Sequence, residues 1–519
     1  MLISKIMYNT LINDHMKKYI IIFAGLLTLN SCSESFFEKY PTDSMTVENY
    51  MKTTSEVKTV LYAAYGAMRG SFANSIVYIG DLPTDNAYDF KLNNASAQIA
   101  LNESNIDSQN SIMSDLWYSC YQIINRCCLV IESMDKIECT TADYNQLVGE
   151  AKFLRAYTYY VMVRVWGDVP LVLEDITDYM AVFDYGRTPT SEVYAQIIND
   201  LEDAESKLPD FYTSEADKGK ATATAAQAIL GDVYLTQGNY SKAKDYFSKI
   251  IAKEGANLGL LDDYASIFSV NNANNKEIIF AVQYAHNQTP VMSNYLGNAS
   301  LGNIQGQYID PKGEGQSKIY GVNILMMTHE LEAKYAANDK RRSVIYTGIS
   351  SPDFSCTIPM TLKYFDYQNI TDKISGNPDS GCETIISRYS DIILKYAECL
   401  NETNDQAGAI AQVKRIRDRA GLTTDIPADK DNVAKAIALE RQLELSMEGH
   451  RWFDLLRTGK AIDVMNTYYS RVNAGNYHKT ILTYEYGDNC SLQSYELLFP
   501  LPYDQIVLNP DKLIQNPNY

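Results

Sequence analysis

Apolar residues return every third or fourth position along most of this chain, the spacing that lines one face of an α-helix. The pattern predicts helices over Ser55–Met68, Ile112–Met134, Asp143–Trp166, Ser191–Leu208, Thr222–Gln237, Ser241–Lys253, Arg388–Asn401, Ala407–Ala420, Asn432–Met447 and Trp452–Met465. Two-residue alternation is sparse, with Glu277–Val282 and Leu497–Leu501 the best short strand candidates. Long Gly-, Asn- and Pro-rich connections separate these elements, above all Asp81–Asn110 and Asn271–Tyr320. The expected class is therefore mainly α, with few short strands and long irregular loops.

Two of the predicted helix pairs share a finer pattern. Leu230-Gly231 and Tyr234, then Gly238 and Tyr240, then Ala243 and Phe247 follow the tetratricopeptide spacing. In that pattern small residues let two antiparallel helices approach, and aromatic rings fill the gap. Tyr396-Ala397, Leu400, Ala409 and Val413 repeat the spacing, and Leu154 to Tyr159 is a weaker echo of a first helix. Tetratricopeptide-like helix pairs are expected most clearly over residues 222–253 and 388–420.

The start of the chain reads as an address. Met16-Lys17-Lys18 precedes the apolar run Tyr19–Leu29, which is short for a membrane span and leads into Asn30-Ser31-Cys32. Residues 1–31 are expected to form a signal peptide, with Met16 the start codon and residues 1–15 an upstream extension. Leu29-Asn30-Ser31-Cys32 resembles a bacterial lipobox, so Cys32 is the expected lipidation site and residues 32–519 the mature unit. About three acyl chains, at about 0.8 kcal/mol per buried CH₂, give stable anchoring.

Charge and cysteine usage narrow the partners. The 519 residues include 64 Asp or Glu and 45 Lys or Arg, and the net charge of −19 repels a phosphate backbone. Tyr outnumbers Phe 40 to 15, which suits helix seams and surfaces where a ring keeps one edge in water. Beyond Cys32 no CxxC pair occurs, so neither a zinc ribbon nor a thioredoxin-like site is supported, and buried free thiols are expected.

Several motifs, in this order, resemble the SusD/RagB family. They are Glu150-Ala151-Lys152-Phe153-Leu154-Arg155-Ala156-Tyr157 leading to Arg164–Pro170, then Arg388-Tyr389 through Glu398, and Arg415–Leu422. Glu448-Gly449-His450-Arg451-Trp452-Phe453-Asp454-Leu455 and the tail from Leu498 to Tyr519 continue the match. The resemblance implies a non-catalytic lipoprotein on the outer membrane, facing the cell exterior. It would capture oligosaccharide and hand it to a SusC-like TonB-dependent transporter, or capture peptide as in the RagB branch. It carries Asp85, Asn86 and Tyr88, in the loop Asp81–Phe90, over as ligand contacts. Tyr295, Tyr308 and Tyr320, in the long Gly-rich stretch, are the second set. Rings stack on sugar C–H faces, while Asp and Asn pair with hydroxyls. A capped turn is the structural alternative for Asp85 and Asn86. Neither loop holds a Trp, which argues against a helical α-glucan.

Signs of catalysis are few. HExxH, GxxxxGK[ST], GxSxG and GxGxxG are all absent, and Ala333 stands where His329-Glu330 would need a second His. Thr328 before that pair is read as a helix cap. Glu440, Glu444 and Glu448 share a helical spacing and have Arg441, Arg451 and Arg457 near them in sequence. An acid/base pair is one reading, but guanidinium groups keep carboxylates ionised, so an ion-pair network locking consecutive helices is favoured. Trp117, Trp166 and Trp452 are expected in the core. No cofactor or metal site is expected; acids abound, but no EF-hand spacing appears. A tetratricopeptide scaffold that only joins proteins and a surface glycosidase using two carboxylates are the remaining alternatives.

Overall fold

The computed structural model describes residues 51–89, 96–176, 178, 180–285, 324–349, 358–365, 380–423, 425–473 and 490–519. Contacts divide the chain into two compact units, Met1–Glu56 and Val57–Tyr519. In the first, Glu56 accepts from the backbone amides of Lys52 and Thr53 at 3.0 and 2.9 Å, while Thr53 Oγ1 accepts from Glu56 N. This reciprocal cap sets the start of α1 (Thr54–Ala67). Cys32 and the leader lie outside the described residues.

Helices α2 (Ser71–Asp81), α3 (Ser96–Asn102), α4 (Ser111–Met134), α5 (Thr141–Trp166), α6 (Thr190–Lys207), α7 (Ala223–Thr236) and α8 (Tyr240–Ile251) follow, with β1 (Ala87–Tyr88) after α2. A segment poor in helix comes next: β2 (Ile278–Val282), β3 (Met326–Met327), α9 (His329–Lys334), β4 (Ile345–Ile349), β5 (Ile358–Thr361) and β6 (Thr384–Arg388). The chain then returns to helix in α10 (Tyr389–Glu402), α11 (Gln406–Arg419), α12 (Lys430–Glu444), α13 (Arg451–Arg457), α14 (Ala461–Asn473) and α15 (Tyr503–Leu508). Short polar caps set many of the starts. Asn110, Thr140, Thr222, Asp405 and Asp429 each accept a backbone amide in the first turn of the helix that follows.

The expected helix pairs are present. α5 packs on α6, α6 on α7, α7 on α8, α8 on α10, and α10 on α11 and α12, so the stack continues across the inserted segment. Between α7 and α8, Gly231 leaves room for Phe247: a Cβ there would stand 2.3 Å from the ring. Trp166 and Trp452 are buried, and Trp117 packs edge-on against Trp166 with centroids 5.1 Å apart. Cys120, Cys127, Cys128, Cys382 and Cys399 are buried free thiols, whereas Cys139 is exposed.

The differences from expectation have local causes. α2 and α3 are regular helices that were not expected; they are only eleven and seven residues long, and α3 lies inside the connection expected over Asp81–Asn110. The predicted helix Asn432–Met447 stops at Glu444, and Met447 takes a positive φ of 63°. Trp452–Met465 breaks into α13 and α14 at Gly459 (φ 66°). Leu497–Leu501 forms no strand; Pro500 lacks an N–H, and the one amide of Phe499 donates to Val165 O. The described strands make three two-stranded antiparallel sheets, β1–β3, β2–β6 and β4–β5.

Candidate functional site

Both loops expected to meet a ligand enter or leave the fold at one small sheet. Ala87 pairs with Met327 and Tyr88 with Met326, antiparallel. The outgoing end of β1 therefore lies beside the incoming end of β3, and β5 packs alongside β3. Thr328 joins the two strands to α9. Its amide donates to Asn86 O at 2.9 Å, its hydroxyl donates to Asp85 O at 2.7 Å, and that hydroxyl also accepts Leu331 N as the helix cap. The cap expected at Thr328 is thus present, and His329 begins the helix.

Beneath this sheet lies a set of polar side chains drawn from distant parts of the chain. Asp85 accepts from Arg451 Nε at 2.8 Å, Lys334 Nζ at 3.1 Å and Gln442 Nε2 at 2.9 Å. Gln442 Nε2 also reaches Asn86 Oδ1, and Asn86 Nδ2 donates to Asp81 Oδ1, both at 2.9 Å. Asp85, Asn86 and Tyr88 are only 2%, 1% and 2% exposed. Asp85 and Asn86, read from sequence as ligand contacts, direct these polar atoms into the protein, and most of their partners are side chains distant in sequence rather than the local backbone groups of a capped turn. Burial would raise the Asp85 pKa, but Arg451 and Lys334 outweigh it and hold the carboxyl well below the usual carboxylate range. For Asp81, burial raises the pKa to about 6 despite hydrogen bonds from Asn86 and Gly449 N and the charge of Lys363. Tyr295, Tyr308 and Tyr320 lie outside the described residues.

A backbone contact fixes this base. Gly80 on α2 crosses the turn after α12 so closely that a Cβ would stand 2.1 Å from Gly449 O. Gly449 itself has φ 80°, and its amide donates to Asp81 Oδ2 at 2.6 Å. Arg451, Lys334, Gln442 and Gly449 were not tied to residues 81–89 by sequence reasoning. Nothing in their spacing pairs them with a loop more than a hundred positions away.

The expected ion-pair network exists, with other partners than those nearest in sequence. Arg388, fully buried, donates to Glu448 at 2.8 and 2.9 Å, Glu277 at 3.0 Å and Glu444 at 2.5 Å. Arg419 pairs with Glu277, Arg341 with Asp339 and Glu440, Arg417 with Glu440, and Lys363 with Glu448. Five acids thus meet five cations. Arg441 instead pairs with Asp391 and Asp454, Arg451 with Asp85, and Arg457 with Glu398 and Asp454. Burial would raise the Glu444 pKa, but Arg419, Arg388 and Arg341 outweigh it and hold the carboxyl low, which removes it as a proton donor. Among the described residues no group of three or more His, Cys, Asp or Glu is placed to hold a metal, and no helix is long and apolar enough to cross a membrane.

Comparison with known proteins places this architecture. Residues 35–235 match the family model described as "Starch-binding associating with outer membrane", and residues 346–519 match the model of the SusD family. A SusD-like protein (P2) of Formosa agariphila is 28% identical over 97% of this chain and 100% of its own length. A SusD-like protein of Bacteroides fragilis superposes with a TM-score of 0.75 at 23% identity, covering 93% of this chain and 100% of that one. Surface glycan-binding protein A of Bacteroides thetaiotaomicron, solved with laminarihexaose, gives 0.74 at 23% identity, over 90% of this chain and 99% of that one. Two family models over most of the sequence, a relative aligned along its whole length and a shared fold lead to one conclusion: this chain belongs to the SusD/RagB family.

Proposed function

We propose that this protein is a lipid-anchored binder on the outer face of the outer membrane, tethered at Cys32. It captures oligosaccharide or polysaccharide fragments and passes them to a SusC-like TonB-dependent transporter. The observation that carries the reading is the β1–β3 pairing, which brings one stem of each candidate loop to one edge of a braced frame. The laminarihexaose complex of a relative with the same fold and the starch-binding description of the matched model support the ligand class. Tyr295, Tyr308 and Tyr320 are the proposed stacking rings. Asp85, Asn86 and Tyr88 act as positioning residues at the base of the first loop. No chemistry is required of the protein, because capture and release need only reversible stacking and hydroxyl pairing.

Titration of the purified mature chain with defined oligosaccharides, followed by chromatography of the recovered sugar, tests this. Saturable binding with intact sugar is expected, and alanine at Tyr295, Tyr308 or Tyr320 should weaken it by about tenfold each, the loss of one stacking contact. New reducing ends would make the protein a glycosidase, and binding of peptides alone would make it a peptide carrier; either result overturns the reading.

A further inference from the structure

Away from the β1–β3 sheet, the described surface has an apolar groove of about 450 Å³ between α4, the 3₁₀ turn Ala181–Asp184 and α15. Trp117, Tyr121, Phe183 and Leu513 form part of its walls. Large apolar side chains are left in water around it. Tyr118, Met180, Val182, Val507 and Leu508 are each about half exposed, 48–58%, and they either line the groove or adjoin residues that do. These are five of the eleven exposed large apolar residues among the described residues, a concentration that marks a contact surface.

The groove's polar groups show what kind of occupant fits. Asn509 Nδ2 donates to the carbonyls of Phe183 and Tyr185, and Gln505 Nε2 donates to Tyr118 and Asp504. Their donors are engaged within the protein, which leaves an apolar surface ill suited to the many hydroxyls of a sugar. The rim is acidic. Asp184 has 87% of its side chain exposed, Glu174 accepts the Tyr185 hydroxyl, and Asp504 accepts the Tyr118 hydroxyl. Lys512 lies 3.7 Å from the Asp184 carboxylate, while Arg187 is turned onto the backbone oxygens of Trp166, Asp168 and Ile514 and the side chain of Asn516. An anionic lipid surface would be repelled by this rim, and a second copy would bring the same acids against it.

We propose that this groove is a protein-docking surface for a partner that inserts apolar side chains flanked by Lys or Arg. It goes beyond sugar capture and does not depend on it. A photo-crosslinking residue is placed at Val182 and, separately, at Leu508 of the full-length protein in intact cells. Both positions should label one partner polypeptide at a stretch where apolar residues adjoin Lys or Arg. Charge reversal by Asp184→Lys should lower the yield by about fivefold or more, as expected for a rim charge that steers association. Adducts only with lipid, with the same chain or with a second copy overturn the proposal, as does a yield indifferent to Asp184→Lys. Oligosaccharide binding by the purified protein with Asp184 intact is measured in parallel. Retained sugar binding with no partner adduct refutes the docking surface alone, and a persistent adduct without sugar binding refutes glycan capture alone.

Discussion

Between α7 and α8 the decisive contact is Gly231 against the ring of Phe247, two residues from neighbouring helices of one hairpin. Where β6 meets the body, it is Arg388 against Glu277, Glu444 and Glu448, residues gathered from three separate stretches of the chain. The α7–α8 contact rests on shape and apolar burial, and the inserted segment between α8 and α10 adds to its own apolar core a network of charges removed from water. Apolar packing adds stability in small increments and tolerates small changes. A buried ion pair contributes little net stability because desolvation offsets the attraction, yet losing one partner strands the other. In the insertion, a few buried side chains therefore add a directional constraint to apolar packing and strand pairing.

That contrast can be broken or sharpened. Arg388→Met should have the largest effect, about 3–5 kcal/mol of destabilisation from the carboxylates left unpaired, read as a fall in the urea midpoint. A loss below 1 kcal/mol would mean the network is dispensable. The next effect depends on pH. Burial lowers the His450 pKa from 6.5 to about 4, against the pull of Asp391 and Glu448 and alongside Lys395 and Arg441. The unfolded chain takes up this proton near its ordinary value and the folded chain only near the lowered one, so acidification through that window favours unfolding. The stability difference between the native protein and His450→Gln should therefore shrink by about 2–3 kcal/mol between pH 7 and pH 4.5. A pH-independent difference would contradict it.

Within the stack, Gly231→Ala should cost about 1–3 kcal/mol by overpacking against Phe247, and Phe247→Leu added to it should recover part of the loss. No recovery would show that the helices do not meet there. Smallest of all, Lys414→Ala removes an exposed pair with Asp418 on α11 and should shift the urea midpoint by less than about 0.5 kcal/mol equivalent.

Much of the stack was legible from spacing because its contacts lie close in the chain. The 230–247 pattern announced both helices and the ring between them. α2 and α3 were hidden because eleven and seven residues give few turns over which a period can stand out. The carboxylates at 440, 444 and 448 were recognisable as ion-paired, but α12 ends at Glu444, and Glu448 lies in the turn beyond it, against Arg388 and Lys363. Asp85 and Asn86 had the chemistry of ligand contacts, and only the approach of Arg451, Lys334 and Gln442 showed what their oxygens meet.

The amino-acid order by itself determined the helical class, the tetratricopeptide-like pairs, the core tryptophans and the candidate loops, since each follows from residues a few positions apart. Tertiary structure decided which charges pair, that Gly80 and Gly449 bring α2 against the turn after α12, and that β1 lies beside β3. Coulomb attraction and hydrogen bonding depend on distance in space, and a sequence records only distance along the chain.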